Sequence, residues 1–295
     1  MTKKNQTPAD SDSVSVSDSD SVSESVSSEF QFDLSIMGEE FNAPRIPRLP
    51  YGLVINDSPA GLFIPEKNAV KAGWIGLDAA SLPEIELASG EKCKGEFLGS
   101  VRMVILGCMT PYIRYKTSDA LGDMRGVFVG LYEDDRHKID KKTMEVCSEY
   151  LILFLSPNNT LLHTRPIRIR FKNVALWSLL ESLEDFYMTM EMTFAQLAKT
   201  KASSKNDRWR ALCVFEAQFK GIKEGEGSNR SYCCKVDKFT LPTPENFQTL
   251  FLGAIGQYAK IWEAYDMNVG ALQLSLPPSA KSKQFLLNAS ENDGN

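Results

Sequence analysis

The clearest pattern in the chain runs from Tyr150 to Leu197. An apolar run, Tyr150 to Leu155, meets a turn signal, Ser156-Pro157-Asn158-Asn159, and a second extended run returns from Leu161 to Phe171. Within the return, Pro166-Ile167-Arg168-Ile169-Arg170-Phe171-Lys172 alternates strictly between apolar and basic residues. A strand points successive side chains to opposite faces. Ile167, Ile169 and Phe171 are therefore expected to face a core, and Arg168, Arg170 and Lys172 to form one basic stripe. Such a stripe is either the solvated face of an edge strand or a row of phosphate contacts. The period then changes. Leu176, Leu180, Leu183, Tyr187, Met190, Phe194 and Leu197 recur at alternating steps of four and three, which predicts an amphipathic helix. Trp177, Leu179 and Phe186 widen its apolar face, and Asn173 is its expected N-cap.

The rest of the chain repeats these patterns less sharply. Phe97 to Leu106 reads as β-structure. In Pro111-Tyr112-Ile113-Arg114-Tyr115-Lys116, Tyr112 and Arg114 share one strand face, as do Ile113 and Tyr115. Aromatic residues interleaved with cations suit a surface on which rings take bases and cations follow phosphates; they are also ordinary strand residues. Arg125 to Tyr132 reads as another strand, followed by a mixed-charge run, Glu133 to Lys138, of the kind found in solvated loops. Trp209 to Lys220, preceded by Arg208, predicts a strand that returns as Tyr232 to Phe239 across a flexible tip. Thr243-Pro244-Glu245 opens a second helix, with an apolar stripe from Phe247 through Leu250, Ile255, Tyr258 and Ile261 to Tyr265. The fold class that follows is α+β. Its core is rich in antiparallel strands that can close into an OB-like barrel, and it carries two prominent amphipathic helices.

Composition adds the organisation. Of the formal net charge of −5 on 295 residues, all lies in residues 1–33, where Lys3 and Lys4 face five aspartates and two glutamates. Residues 1–40 form an acidic, Ser-rich stretch that cannot bury enough apolar area to offset its ordering entropy, so a disordered tail is expected. Residues 41–270, entered through Pro44, Pro47 and Pro50, are expected to form a single globular domain, and residues 271–295 a polar C-terminal tail. The acidic tail suits three roles: a solubilising segment, a phospho-acceptor, or an arm that binds a partner protein or the protein's own basic groove. The six cysteines have no metal-type spacing and only His137 and His163 to assist them, so buried reduced thiols are expected, and no zinc. No apolar stretch has the length of a membrane span and no secretory signal is visible, which points to the cytoplasm. No P-loop, dinucleotide fingerprint or nucleophile elbow occurs, so neither a cofactor nor an enzymatic activity is expected.

Three passages, PRIPRLP near the start, EFLGSVRMVILGCMTPYIRY in the middle and the paired hairpins, carry a resemblance spread over Pro44 to Tyr265. In these the chain resembles uncharacterised cyanobacterial proteins of plasmid and phage type, and phage-type single-stranded DNA-binding proteins built on an OB-like barrel. The resemblance implies binding of single-stranded DNA or RNA without catalysis. From the residues themselves, the candidate contacts are Tyr112, Arg114, Tyr115, Lys116, Arg168, Arg170, Lys172, Arg208, Trp209 and Arg210. The alternative is a structural or scaffolding protein of a mobile element that touches no nucleic acid. Either form is compatible with a homo-oligomer.

Overall fold

Alternating apolar positions become eleven strands in a computed structural model that describes residues 48–272 apart from 88, 89, 226, 228, 229, 254–257, 269 and 271. The expectations for the acidic tail and for the C-terminal tail lie outside the described residues. The strands are β1 (Tyr51–Ile55), β2 (Gly61–Pro65), β3 (Glu84–Glu86), β4 (Lys92–Leu98), β5 (Ser100–Cys108), β6 (Tyr112–Tyr115), β7 (Phe128–Leu131), β8 (Met144–Phe154), β9 (Ile167–Lys172), β10 (Phe215–Glu224) and β11 (Ser231–Phe239). The helices are α1 (Glu66–Ala72), α2 (Tyr132–Asp135), α3 (Asn173–Leu197), α4 (Asp207–Arg210), α5 (Phe247–Leu250) and α6 (Tyr258–Asn268).

The sheet runs β11-β10-β5-β8-β9-β1-β2-β4-β3, with β6 pairing β8 and β7 off this path. Its neighbours are antiparallel except β1 and β9, which are parallel. The protein is thus α+β, as its patterning predicts, and the sheet curls into a half-barrel. The curl brings the β10–β11 hairpin to the β1–β2 turn, where the Cys234 amide donates to Asn56 Oδ1 at 3.0 Å. Gly221 makes that approach sterically feasible: a Cβ there would stand 2.6 Å from the Asp57 carbonyl oxygen. Gly221 belongs to β10, so the strand continues into what the sequence suggests is a flexible tip.

α3 fills the concave side. Leu176, Leu179, Leu183, Phe186 and Met190 are buried against Ile152, Ile169, Phe171 and Phe215. The line of closest burial is shifted from the expected one, because Leu179 and Phe186 are central while Leu197 is exposed. Asn173 does not cap the helix, whose N-cap is Lys172. Instead Asn173 takes φ 45°, a left-handed conformation that asparagine tolerates better than most residues, and its Oδ1 accepts from the Val146 amide at 3.0 Å. This one residue turns β9 into α3 without a loop.

Two further expectations are corrected. Trp209 and Arg210 belong to the short helix α4, capped by Asn206 Oδ1 on the Trp209 amide at 3.1 Å, and the strand begins only at Phe215. The second helix is not continuous from Thr243. Phe251 leaves α5 in an extended conformation and bridges Cys213, and α6 starts at Tyr258. α6 covers the outer side of β5 and β8, where Val104, Leu106, Leu151, Leu153, Ile261 and Ala264 form a second apolar cluster.

His163 is a core histidine. It is fully buried, its Nε2 accepts from the Phe154 amide at 2.9 Å, and its Nδ1 lies 2.8 Å from the Arg165 carbonyl, to which it donates. Burial pushes its pKa down to about 4, from an ordinary value of 6.5. The unfolded imidazole therefore takes a proton near pH 6.5, and the folded one only near pH 4. The stability contributed by the neutral ring is complete above pH 6.5 and is lost as the pH falls to about 4, by about 3 kcal/mol. Urea unfolding should show the gap between the native protein and His163→Gln shrinking by about that amount from pH 7 to pH 4. A gap constant with pH would mean that this ring does not titrate on unfolding.

Candidate functional site

β8 places Glu145, Cys147 and Glu149 on the outer side of the sheet, because alternate residues share a face. Both glutamates are buried. The register sets Glu149 opposite Arg170 on β9, and Glu145 opposite Arg114 on β6. An ionised carboxylate is too costly to bury alone; Glu145 is met by cations from β6 and β9, and Glu149 by two cations from β9. Glu145 Oε1 accepts from Arg114 Nε at 2.8 Å and Nη2 at 2.5 Å, and pairs with Lys172 Nζ at 3.2 Å. Glu149 Oε1 accepts from Arg170 through Nε at 2.7 Å and also through Nη2, and Arg168 Nη1 lies 3.4 Å from Oε2. The Tyr112 hydroxyl donates to Glu149 Oε1 at 3.3 Å. Burial, reinforced by Glu149, raises the Tyr112 pKa well above that of a free phenol. Burial and then Glu145 push the Cys147 thiol up to about 11.

The alternation expected of Arg168, Arg170 and Lys172 is present: Ile167, Ile169 and Phe171 are buried between them. The stripe is neither fully solvated nor free. Its side chains are 36, 35 and 39% exposed, and each reaches a buried carboxylate. The network holds four cations against two carboxylates, so its surface keeps excess positive charge. Beside it, Tyr51 on β1 stands in register with Arg168, on the same face, and is half exposed. Sequence reasoning did not single out Glu145, Glu149 or Tyr51. The two acids, four residues apart on a strand facing a basic stripe, were the available signal.

The other candidates fall elsewhere. Tyr112 and Arg114 are buried, and Tyr112 stacks on Phe128, so neither presents a ring or a cation to a ligand, contrary to expectation. Tyr115 is half-buried. Lys116 Nζ is taken by the Lys141 and Lys142 carbonyls at 2.7 and 2.9 Å. Arg208, Trp209 and Arg210 form a separate cluster that ties α4 to its neighbours. Arg208 pairs with Asp266 at 3.0 Å and lies over the Trp262 ring. Arg210 pairs with Glu191 at 3.2 Å and lies over Tyr187. Trp209 packs between Phe194 and Phe251. All six cysteines are unpaired. Among the described residues no group of three or more His, Cys, Asp or Glu is gathered for a metal ion, and no helix is long and apolar enough to cross a membrane.

Fold and site together define an α+β protein whose curled sheet carries an ion-pair network with surplus positive charge on its outer side. The family described as a domain of unknown function (DUF5895) matches residues 46–283, and the chain belongs to it. No curated protein and no solved structure matches.

Breaking one side of a buried ion pair costs about 3 kcal/mol or more, because the remaining charge is stranded. Arg114→Met should therefore lower the stability measured in urea by about that amount. Arg125→Met, which removes an exposed pair with Asp119, should cost less than about 1 kcal/mol. Equal losses in the two variants would show that the network contributes nothing beyond a surface pair.

Proposed function

We propose that this chain is a non-enzymatic protein that binds single-stranded nucleic acid, DNA or RNA, along the outer face of β9. The observation that carries the reading is the partly exposed stripe of Arg168, Arg170 and Lys172 with surplus positive charge, flanked in register by the exposed ring of Tyr51. The cations follow successive phosphates while the ring stacks on a base. The half-barrel is in this reading OB-like, a fold whose strand faces take oligonucleotides. With α3 on the concave side, the outer face is the one left for a strand.

The acidic N-terminal stretch acts here as a competitor. The Pro50 carbonyl accepts from the Arg168 amide at 2.9 Å, so the chain that leads into β1 is anchored at the stripe. A tethered anion there acts at an effective concentration near millimolar. A second reading, a scaffolding protein without nucleic-acid contact, is favoured by Met188, Met192 and Leu197, exposed apolar residues along α3. That reading predicts no binding of oligonucleotides at any salt concentration.

The test uses labelled oligo-dT, oligo-U and duplex DNA. Replacing all three basic residues would strand Glu149, so the useful variant is Arg168→Ser with Lys172→Ser, which leaves Arg114 on Glu145 and Arg170 on Glu149. It should weaken binding and reduce the log–log salt slope by about 1.4, at about 0.7 per phosphate contact. Tyr51→Ala should weaken binding about tenfold and leave the slope unchanged. Unaltered affinity and slope in both variants would refute the interface.

Deleting residues 1–30 should raise affinity most at low salt, where screening is weakest. A neutral Gly/Ser segment of equal length in their place should do the same. A chimera that binds no better than the intact chain would rule out the competing arm.

A further inference from the structure

Between α3, the end of β5 and α4 lies a cleft of about 670 Å³. Its walls are apolar: Ile105, Trp177, Leu180, Leu183, Tyr187 and Met188 line it, and Met188 is 56% exposed. Apolar side chains gathered in an open concavity mark a place that another surface covers. Arg210 also lines the cleft but is committed to Glu191. Along the rim, Glu181, Glu184 and Asp207 are exposed and enter no ion pair among the described residues. The walls call for an apolar cover, and the rim decides which cover fits.

Two stretches outside the described residues carry enough apolar side chains to serve. Residues 30–41 read FQFDLSIMGEEF, with Asp33, Glu39 and Glu40 and no cation. Residues 281–287 read KSKQFLL, with Phe285, Leu286 and Leu287 beside two lysines and no acid. An acidic rim repels the first and attracts the second. The chain also leaves the fold beside the cleft. Asp266, in the last turn of α6, pairs with Arg208 at 3.0 Å, and Trp262 Nε1 donates to the Arg208 carbonyl at 3.1 Å. α6 therefore ends against α4, the helix that supplies Asp207 and Arg210 to the cleft. The last described residue, Leu272, is buried in the outer apolar cluster. The 12 residues between it and Phe285 reach about 40 Å when extended. That matches the whole length of α3, about 37 Å for its 25 residues.

We propose that the α3 cleft is the docking site of the chain's own residues 281–287, with Phe285 and Leu287 against the apolar walls and Lys281 and Lys283 at the carboxylate rim. Extended, the segment places these four side chains on one face. Its tether holds it at an effective concentration near millimolar, so modest affinity fills the cleft. The contact is separate from the β9 face and does not rest on nucleic-acid binding.

Amide hydrogen exchange of the full chain tests it. Residues 281–287 should exchange about tenfold more slowly than the same sequence as a free peptide, at every protein concentration. Phe285→Ser with Leu287→Ser should abolish that protection. Glu181→Lys with Glu184→Lys should reduce it by about threefold or more, and adding Lys281→Glu with Lys283→Glu to that variant should restore it. Protection of α3 itself, read in the same data, should stay unchanged, because Glu181 and Glu184 are exposed. The proposal is overturned if residues 281–287 exchange as fast as the free peptide, or if the reciprocal charge reversal fails to restore protection. Protection that grows with protein concentration would also overturn it, by assigning the cleft to a second copy of the chain.

Discussion

The structure depends on one strand that is buried on both faces. Of the eleven residues of β8, all but Met144 are buried. Toward the concave side the strand contributes Val146, Tyr150, Ile152 and Phe154, and toward the outer side Cys147, Leu151 and Leu153. Two of its outer positions are glutamates, and a buried carboxylate without a partner is too costly to keep. The flanking strands therefore have to deliver cations in register, Arg114 from β6, and Arg168, Arg170 and Lys172 from β9. The basic stripe on β9 is in this sense a requirement of the fold before it is a surface for anything else. What remains available to a ligand is the charge beyond that requirement.

The connection after β9 decides which side of the sheet is open. Asn173 turns the chain from strand to helix in a single residue, held to β8 by its own side chain. α3 has no linker with which to choose another position, so its apolar face falls onto the concave side. Phe186 then meets Phe215 and Phe239 edge-on, and Phe194 meets Trp209 and Phe251. These aromatic contacts tie α3 to β10, β11, α4 and the segment after α5. The shorter α6 is left to the outer side, where it packs with the apolar cluster on β5 and β8.

The two faces consequently differ in sign. The outer surface beside α6 carries surplus arginine and lysine, while the α3 side has an apolar cleft rimmed by Glu181, Glu184 and Asp207. The chain outside its acidic N-terminal stretch is formally neutral. That neutrality conceals a separation of charge which only folding creates.

Much of the fold was legible in the pattern of residues. The strict alternation of Ile167 to Lys172 requires one buried and one polar face, and the step of four and three from Leu176 requires a helix. Both are local consequences of backbone geometry, and both are present. The sequence also reveals that Arg168, Arg170 and Lys172 share a face. It does not show that Tyr112 and Arg114 are buried, because an aromatic–cation alternation reads the same whether its partner is solvent or a carboxylate 31 or 37 residues away. Nor does it show that α4 replaces the start of a strand at Trp209, since the packing of that ring on Phe194 and Phe251 overrides local preference. Strand pairing decided which cations are neutralised and which are left over. Pairing is set by contacts between residues far apart in the chain, and the period of a single segment carries no record of its neighbour.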